Sequence, residues 1–354
     1  MRIRLAILEN DKSYLSGIVN AFGTKFADKL EIYSFTDPAV ALQTLSQTRI
    51  DVLVVSDAIE FDHTALPRKC GFAYLVGSAD IESFKGQPTI YKFQKADLIY
   101  KQILNLYSEQ AEGITGVKIG DGSCTLVGFL SPAGGVGTSS AAAAYALHYA
   151  KQGKRALYLN LERFGSADIY FEGDGQFDMS DVIFAVKSRK ANLAMKLESC
   201  VRTDLSGVSF FSQTKYALDM LELSSAEMET LLTELKNMGA FDVIAADLEF
   251  GLDKDRMDLY KRFHTLVMVG DGGEQSNSKI ERACQALTTK EQNADAPLYE
   301  RMVLFYNKFS NKSGRGVDGI ELRNVGGAPR YERASAKQVI EQLSDLAVFD
   351  EILK

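Results

Sequence analysis

The sequence predicts two doubly wound α/β domains, each a parallel sheet with helices interleaved along the chain. Three observations carry that expectation. Short apolar runs of buried-strand type alternate with segments whose apolar residues recur at helical spacing. A polar stretch over 108–123, with four glycines and no sustained periodicity, interrupts the alternation and reads as a linker. A glycine-rich turn, Ser131-Pro-Ala-Gly-Gly-Val-Gly-Thr-Ser-Ser140, then separates the strand-like Thr125–Leu130 from an alanine-rich helical segment.

The bulk properties set limits on function. With 354 residues there is chain enough for two independent cores, and a 46% hydrophobic fraction is ordinary for a soluble protein. A net charge of -7 argues against broad binding to nucleic acid or anionic membranes. The cysteines (70, 124, 200, 284) show no CxxC and no metal spacing, and the histidines (63, 148, 264) are isolated. Unpaired thiols, the charged residues after Met1 and the absence of a 20-residue apolar run lead us to expect a cytoplasmic protein with no direct membrane insertion.

In the first domain, expected over 1–107, Ile3–Leu8 reads as a buried strand and Tyr14, Ile18, Phe22 and Phe26 mark a helix. Leu30–Phe35 alternates as a strand, and Asp37-Pro38 opens a helix carrying Val40, Leu42 and Leu45. Strands follow at 50–55, 72–76 and 89–91, and an amphipathic helix over 96–107 closes the domain. The connections 56–70 and 78–88 are short for helical crossovers.

This portion resembles the flavodoxin-type receiver domain of two-component signalling. Receivers place acidic residues after the first strand, a phosphorylated Asp at the end of the third and a Lys after the fifth. Here Glu9 and Asn10 hold the acidic positions with Asp11 next, Ser56 holds the acceptor position with Asp57 one residue later, Ser78 follows the fourth strand, and Lys92 matches the Lys. A one-residue slip moves a carboxylate away from the groups that phosphoryl transfer needs. The expectation is an atypical receiver-like domain kept for its surface, with response-regulator-like signalling as an alternative.

The second domain, expected over 124–354, is built around the glycine-rich turn. Strand, glycine turn and helix form the arrangement that cradles phosphates, because successive backbone N–H groups point inward and the helix start adds positive potential. The helix is expected over 139–152, and the next strand at 156–159 leads into Asn160-Leu-Glu162. Residues 177–205 read as helical, 207–211 as a strand and 226–238 as a helix. Strands at 241–247, 265–269 and 302–307 each end at a polar group, Asp247 and Asn307 among them. Polar residues at strand carboxyl ends behind one phosphate turn describe a P-loop nucleotide-binding domain. The last segment, 334–354, carries apolar residues near helical spacing and is expected to pack on this domain, since its acidic face would be repelled by anionic lipid.

Ala133-Gly-Gly-Val-Gly-Thr-Ser-Ser140 resembles the deviant phosphate loop of the ParA/MinD family, whose pattern is Lys-Gly-Gly-x-Gly-Lys-Thr/Ser. An atypical receiver ahead of such a domain is similar to the TadZ/CpaE group, which places the tight-adherence (Flp-type) pilus machinery at a cell pole. The resemblance implies that Gly134, Gly135, Val136, Gly137, Thr138, Ser139 and Ser140 bind the phosphates of ATP. It implies that Ser139 and Asp247 serve Mg²⁺, that Glu162 and Asp247 are the catalytic candidates, and that Asn307 contacts the base, with Lys308 beside it. It further implies a homodimer, Flp pilus assembly proteins as partners, no nucleic-acid partner, and a place at the cell pole or the inner membrane face through those partners.

Both lysines of the family loop are replaced, by Ala133 and Thr138. Amides and a metal on Ser139 can hold ATP without them, whereas the transition state of phosphoryl transfer depends on such charges more heavily. The expected function is therefore an ATP-binding localisation and assembly scaffold with weak or no hydrolysis; a slow ParA/MinD-type ATPase is the alternative.

Overall fold

The computed structural model describes residues 2–67, 69–110, 124–165, 167–189, 192–292 and 296–354. Most of the expected linker, 111–123, lies outside the described residues. The chain divides into two compact units, Met1–Val117 with Ser188–Ser199, and Lys118–Lys187 with Cys200–Lys354.

The first unit runs β1 (Ile3–Leu8), α1 (Lys12–Lys25), β2 (Leu30–Phe35), α2 (Pro38–Gln47), β3 (Val52–Ser56), β4 (Gly71–Val76), β5 (Ser83–Phe84), β6 (Gln87–Tyr91) and α3 (Ala96–Gln110). Its sheet has the order β2-β1-β3-β4-β6-β5, parallel except for the β5–β6 pair. The helix starts follow from local chemistry: Asp11 accepts from Ser13 N and Tyr14 N, and Asp37 caps α2 ahead of Pro38. A short 3₁₀ turn, His63–Ala65, and the β5–β6 hairpin occupy the two connections too short for crossover helices. Helices α1 and α3 cover one sheet face with Phe22 and Ile103, and α2 covers the other with Ala41 and Leu45. Helix α3 reaches Gln110, so residues 108–110 are helical rather than linker.

The second unit begins with β7 (Thr125–Leu130), α4 (Thr138–Lys151), β8 (Ala156–Asn160) and α5 (Met179–Lys187). Next in the chain come α6 (Leu193–Cys200), which falls almost wholly within the first unit, and then, in the second, β9 (Arg202–Thr203), β10 (Ser209–Phe210), α7 (Ala217–Leu221), α8 (Ser225–Asn237), β11 (Val243–Asp247) and α9 (Lys254–Tyr260). It closes with β12 (Thr265–Gly270), α10 (Glu274–Lys290), β13 (Met302–Phe309), β14 (Arg323–Pro329) and α11 (Ala336–Ser344). The sheet order is β14-β13-β12-β7-β11-β8-β10-β9, with only β9 antiparallel to its neighbour. Both sheets are thus parallel-dominant and layered with helices, the α/β architecture expected. Strand β7 lies near the middle, flanked by β12 and β11, so the turn that follows it opens at the centre of the sheet's carboxyl edge.

Helix α4 is the central element of this core. Ala141, Ala142, Ala143, Ala144 and Ala146 are fully buried, and their small side chains let the helix lie close to the sheet. On its outer side, Ile340, Leu343, Phe349 and Ile352 are buried against it, and His148 bonds Ser344 O through Nδ1 at 2.7 Å. The C-terminal segment therefore packs on the domain. It is not one helix: α11 ends at Ser344, Leu346 is extended, and a 3₁₀ turn Ala347–Glu351 follows.

Residues 177–205 also depart from expectation. Helix α5 stops at Lys187, Arg189 takes a left-handed φ of 46°, and α6 and β9 follow as separate pieces. Part of this segment belongs to the first unit: Met195 packs on its core, Lys196 bonds Asn105, and Lys29 pairs with Glu198.

Candidate nucleotide site

The turn after β7 is held open by its own side chains and glycines. Ser131 Oγ donates to Val269 O at 2.6 Å and accepts from Ala133 N at 3.1 Å, tying the turn to β12. Gly135 and Gly137 have φ of 79° and 88°, a region that side chains other than glycine occupy only with strain. Helix α4 begins at once after Gly137, with no side chain capping its first turn. The first N–H groups of a helix have no intrahelical partners, so this start is an anion site in waiting.

Gly134, Gly135, Gly137, Thr138, Ser139 and Ser140 all line one pocket of about 520 Å³, together with Glu162 and Lys308. Val136 does not line it; its side chain is buried below the loop.

Strands β8 and β11 supply the carboxylates. Their register sets Asn160 beside Asp247. Asp247 is fully buried, and its Oδ2 accepts from Tyr158 Oη at 3.1 Å and Asn160 Nδ2 at 3.2 Å, while Oδ1 has no hydrogen-bond partner. Burial first, and the neighbouring Glu162 carboxylate second, raise the Asp247 pKa well above the usual carboxylate range. Glu162 is held by Asn160, whose Oδ1 accepts from Glu162 N at 3.2 Å, and its Oε2 accepts from Ser139 Oγ at 3.1 Å. Two carboxylates and the Ser139 hydroxyl therefore converge, one carboxylate oxygen being buried and unpartnered. A hard divalent cation fits this oxygen-donor set, because it would compensate the orphaned oxygen and relieve the repulsion between the carboxylates. Among the described residues no group of three or more His, Cys, Asp or Glu is arranged to hold a metal alone. Mg²⁺ at nucleotide sites takes only one or two protein carboxylates and completes its shell with water and phosphate.

Strand β13 closes the other side. Asn307 is buried and spends its amide on the loop, donating to Val136 O at 3.0 Å and Gly137 O at 3.2 Å. Lys308 has a left-handed φ of 58°, where the β13–β14 pairing is irregular, and its Nζ donates to Gly135 O at 2.8 Å. Backbone of this kind in a non-glycine residue costs on the order of 1–3 kcal/mol and tends to mark functional sites.

Sequence reading missed Tyr170, Leu248, Glu249 and Phe250, which also line the pocket. Tyr170 Oη bonds Ser140 Oγ at 3.2 Å. Glu249 accepts from Arg163 N at 3.1 Å and pairs with Arg256 at 3.2 Å. Leu248, Glu249 and Phe250 follow Asp247 directly, so the rule that ligands gather beyond strand carboxyl ends was the available signal. Tyr170 had none, because the loop after β8 carries no periodic or turn pattern.

In the first unit, Lys92 occupies the polar pocket of the receiver-like fold. Its Nζ lies 2.7 Å from Glu9 Oε2, 2.9 Å from Ser56 Oγ and 3.9 Å from Asp57 Oδ1. Ser56 and Glu9 are fully buried, and Asp11 is engaged in capping α1. Ser78 bonds Asp80 instead of joining the cluster.

Residues 1–108 match the family model described as "TadZ-like, receiver domain". No curated protein sequence matches the chain. Among solved structures, a ParA family ATPase from Chlorobium tepidum TLS superposes with a TM-score of 0.52 at 18% identity, covering 66% of this chain and 97% of that one. The MinC:MinD cell division complex of Aquifex aeolicus gives 0.49 at 16% identity, covering 64% of this chain and 93% of that one. The likeness to the ParA protein is one of fold. A TadZ-like receiver domain thus stands ahead of a unit that has the ParA-type fold.

Proposed function

We propose that this chain is an ATP-binding assembly scaffold, a nucleotide-biased homodimer that serves Flp-type pilus assembly proteins at the cytoplasmic face of the inner membrane. The observation that carries the reading is the uncapped start of α4 in a glycine cradle beside the buried, unpartnered Asp247 Oδ1. The TadZ-like match of the first unit supports the pilus context, and the ParA-type fold of the second supports a nucleotide in the cradle. Among the described residues no helix is long and apolar enough to cross a membrane, so a place at the membrane face would come through partners.

In this reading the amides of Gly135, Gly137 and Thr138 take the phosphate oxygens, and Ser139 and Asp247 hold Mg²⁺, Asp247 through water. Bound Mg²⁺ would neutralise phosphate charge. Asn307 keeps the loop carbonyls turned away from the ligand, so that the opposite N–H groups point toward it. Neither Ala133 nor Thr138 brings a charge to the phosphates, and the site is accordingly suited to holding ATP more than to cutting it.

The test is calorimetric titration of ATP with and without Mg²⁺, alongside light scattering for mass. Binding strengthened by Mg²⁺ and a shift toward dimer are expected; no binding heat at millimolar ATP overturns the proposal. The Ser139–Glu162 bond favours a second reading, a slow ATPase in which Glu162 positions water. Phosphate release unchanged in Glu162→Ala and Asp247→Ala would remove it.

A further inference from the structure

Among the described residues lining the pocket, Lys308 is the one cation; the charged residues with it there are Glu162 and Glu249. It does not belong to the glycine loop. It comes from β13, where the left-handed backbone at Lys308 follows directly on Asn307, the residue that clamps the loop. The ammonium reaches Gly135 O at 2.8 Å. The stem passes over the cradle, so that a Cβ built on Gly137 would lie 3.3 Å from Lys308 Cε.

We infer that Lys308 is the phosphate-gripping cation of this site, supplied by the sheet in place of the charges that Ala133 and Thr138 do not bring. The inference deepens the nucleotide reading above and rests on it. An ammonium carries three N–H donors, and the bond to Gly135 O uses one, which leaves capacity for phosphate oxygens without releasing the loop. A flexible four-carbon stem ending in a compact charge suits this task, since a phosphate needs a point charge here and not a planar fork. The ligand class is a nucleoside oligophosphate: the cation adds affinity in proportion to the phosphate charge beneath it and adds nothing to the nucleoside.

The experiment is titration of the full-length chain with adenosine, ADP and ATP in Mg²⁺, for the wild type, Lys308→Gln and the double variant Thr138→Lys/Lys308→Gln. ATP affinity is expected to fall roughly 10- to 100-fold in Lys308→Gln, the size of one charge-assisted hydrogen bond, with a smaller loss for ADP and none for adenosine. The double variant, with a charge returned to the loop, is expected to recover ATP binding. If Lys308 only braced Gly135, adenosine and ATP would weaken together and Thr138→Lys would rescue neither; that result overturns the inference. Equal ATP binding by wild type and Lys308→Gln also overturns it while leaving the nucleotide reading intact. A wild type that binds no ATP overturns both.

Discussion

The Asn307 side-chain amide donates to the carbonyls of both Val136 and Gly137, at 3.0 and 3.2 Å, and so ties the end of β13 to the turn after β7 across 170 residues of sequence. The same amide fills the space above Gly137, where a Cβ would collide with Asn307 Nδ2. Loop shape is thus set jointly by a glycine and an asparagine.

That relationship predicts the effect of two substitutions. Asn307→Ala leaves two loop carbonyls without their donor and is expected to cost about 1–3 kcal/mol of stability. Gly137→Ala adds both a clash and a left-handed residue, and is expected to destabilise by about as much. Denaturant unfolding measures each. If the residues act as one clamp, the double variant loses less than the sum of the singles.

Asp247 predicts a trade between stability and binding. Its carboxyl pKa is raised in the folded state, so the unfolded chain holds fewer protons and this group costs stability as pH rises above the ordinary carboxylate pKa of about 4. Asp247→Asn removes the buried charge and keeps the shape. In EDTA at pH 7.5 it is expected to raise the melting temperature by roughly 2–4 °C for each kcal/mol relieved. Mg²⁺-dependent strengthening of ATP binding is expected to disappear. A variant that melts lower and retains the Mg²⁺ effect would contradict the assignment.

Thr138→Lys puts a lysine at the first position of α4, where the ParA/MinD loop pattern that this turn resembles has one. ATP affinity is expected to rise about tenfold or more, or phosphate release to increase. No change in either would mean that the phosphates do not sit where the cradle places them.

His264 supplies a pH dependence away from this pocket. Its Nδ1 accepts from Leu126 N at 2.9 Å, which requires an unprotonated nitrogen at the edge of β7. Burial, with Lys236 nearby, lowers its pKa. The unfolded chain therefore takes up the proton first, and the stability from this group is present above the unfolded pKa of about 6.5 and is lost as pH falls below it through the lowered folded pKa. His264→Gln, which keeps an acceptor but does not titrate, is expected to show a shallower loss of melting temperature between pH 7 and pH 5. Parallel curves for variant and wild type would exclude His264 as a contributor.

Much of this architecture was legible in the sequence where local signals agree. Strands Ile3–Leu8 and Thr125–Leu130 stand where their apolar runs place them, because a strand buried on both faces must be largely apolar, and the edge strand Leu30–Phe35 stands where its alternation places it. Strand β14 was not legible: Arg-Asn-Val-Gly-Gly-Ala-Pro reads as a loop, and it becomes a strand because β13 offers a free edge where glycine and proline are tolerated. Helices α7, α9 and α10 also went unread, α10 because its mostly polar sequence carries only a narrow apolar stripe of Ile280, Ala283, Cys284 and Leu287.

For the candidate site, the sequence by itself determined which residue types surround the turn: the glycines, Ser139, the carboxylates 162 and 247, and the missing loop lysines. Spacing along one chain is enough for that, because strand, turn and helix are local. Only the tertiary structure decided what each side chain does. Asn307 bonds the loop, Lys308 bends back to Gly135, and Asp247 keeps one oxygen unpartnered, since hydrogen-bond partners are set by which strands lie side by side. The glycine turn could be read from the sequence, but the cation standing over it comes from a strand some 170 residues away and appears only when the sheet is formed.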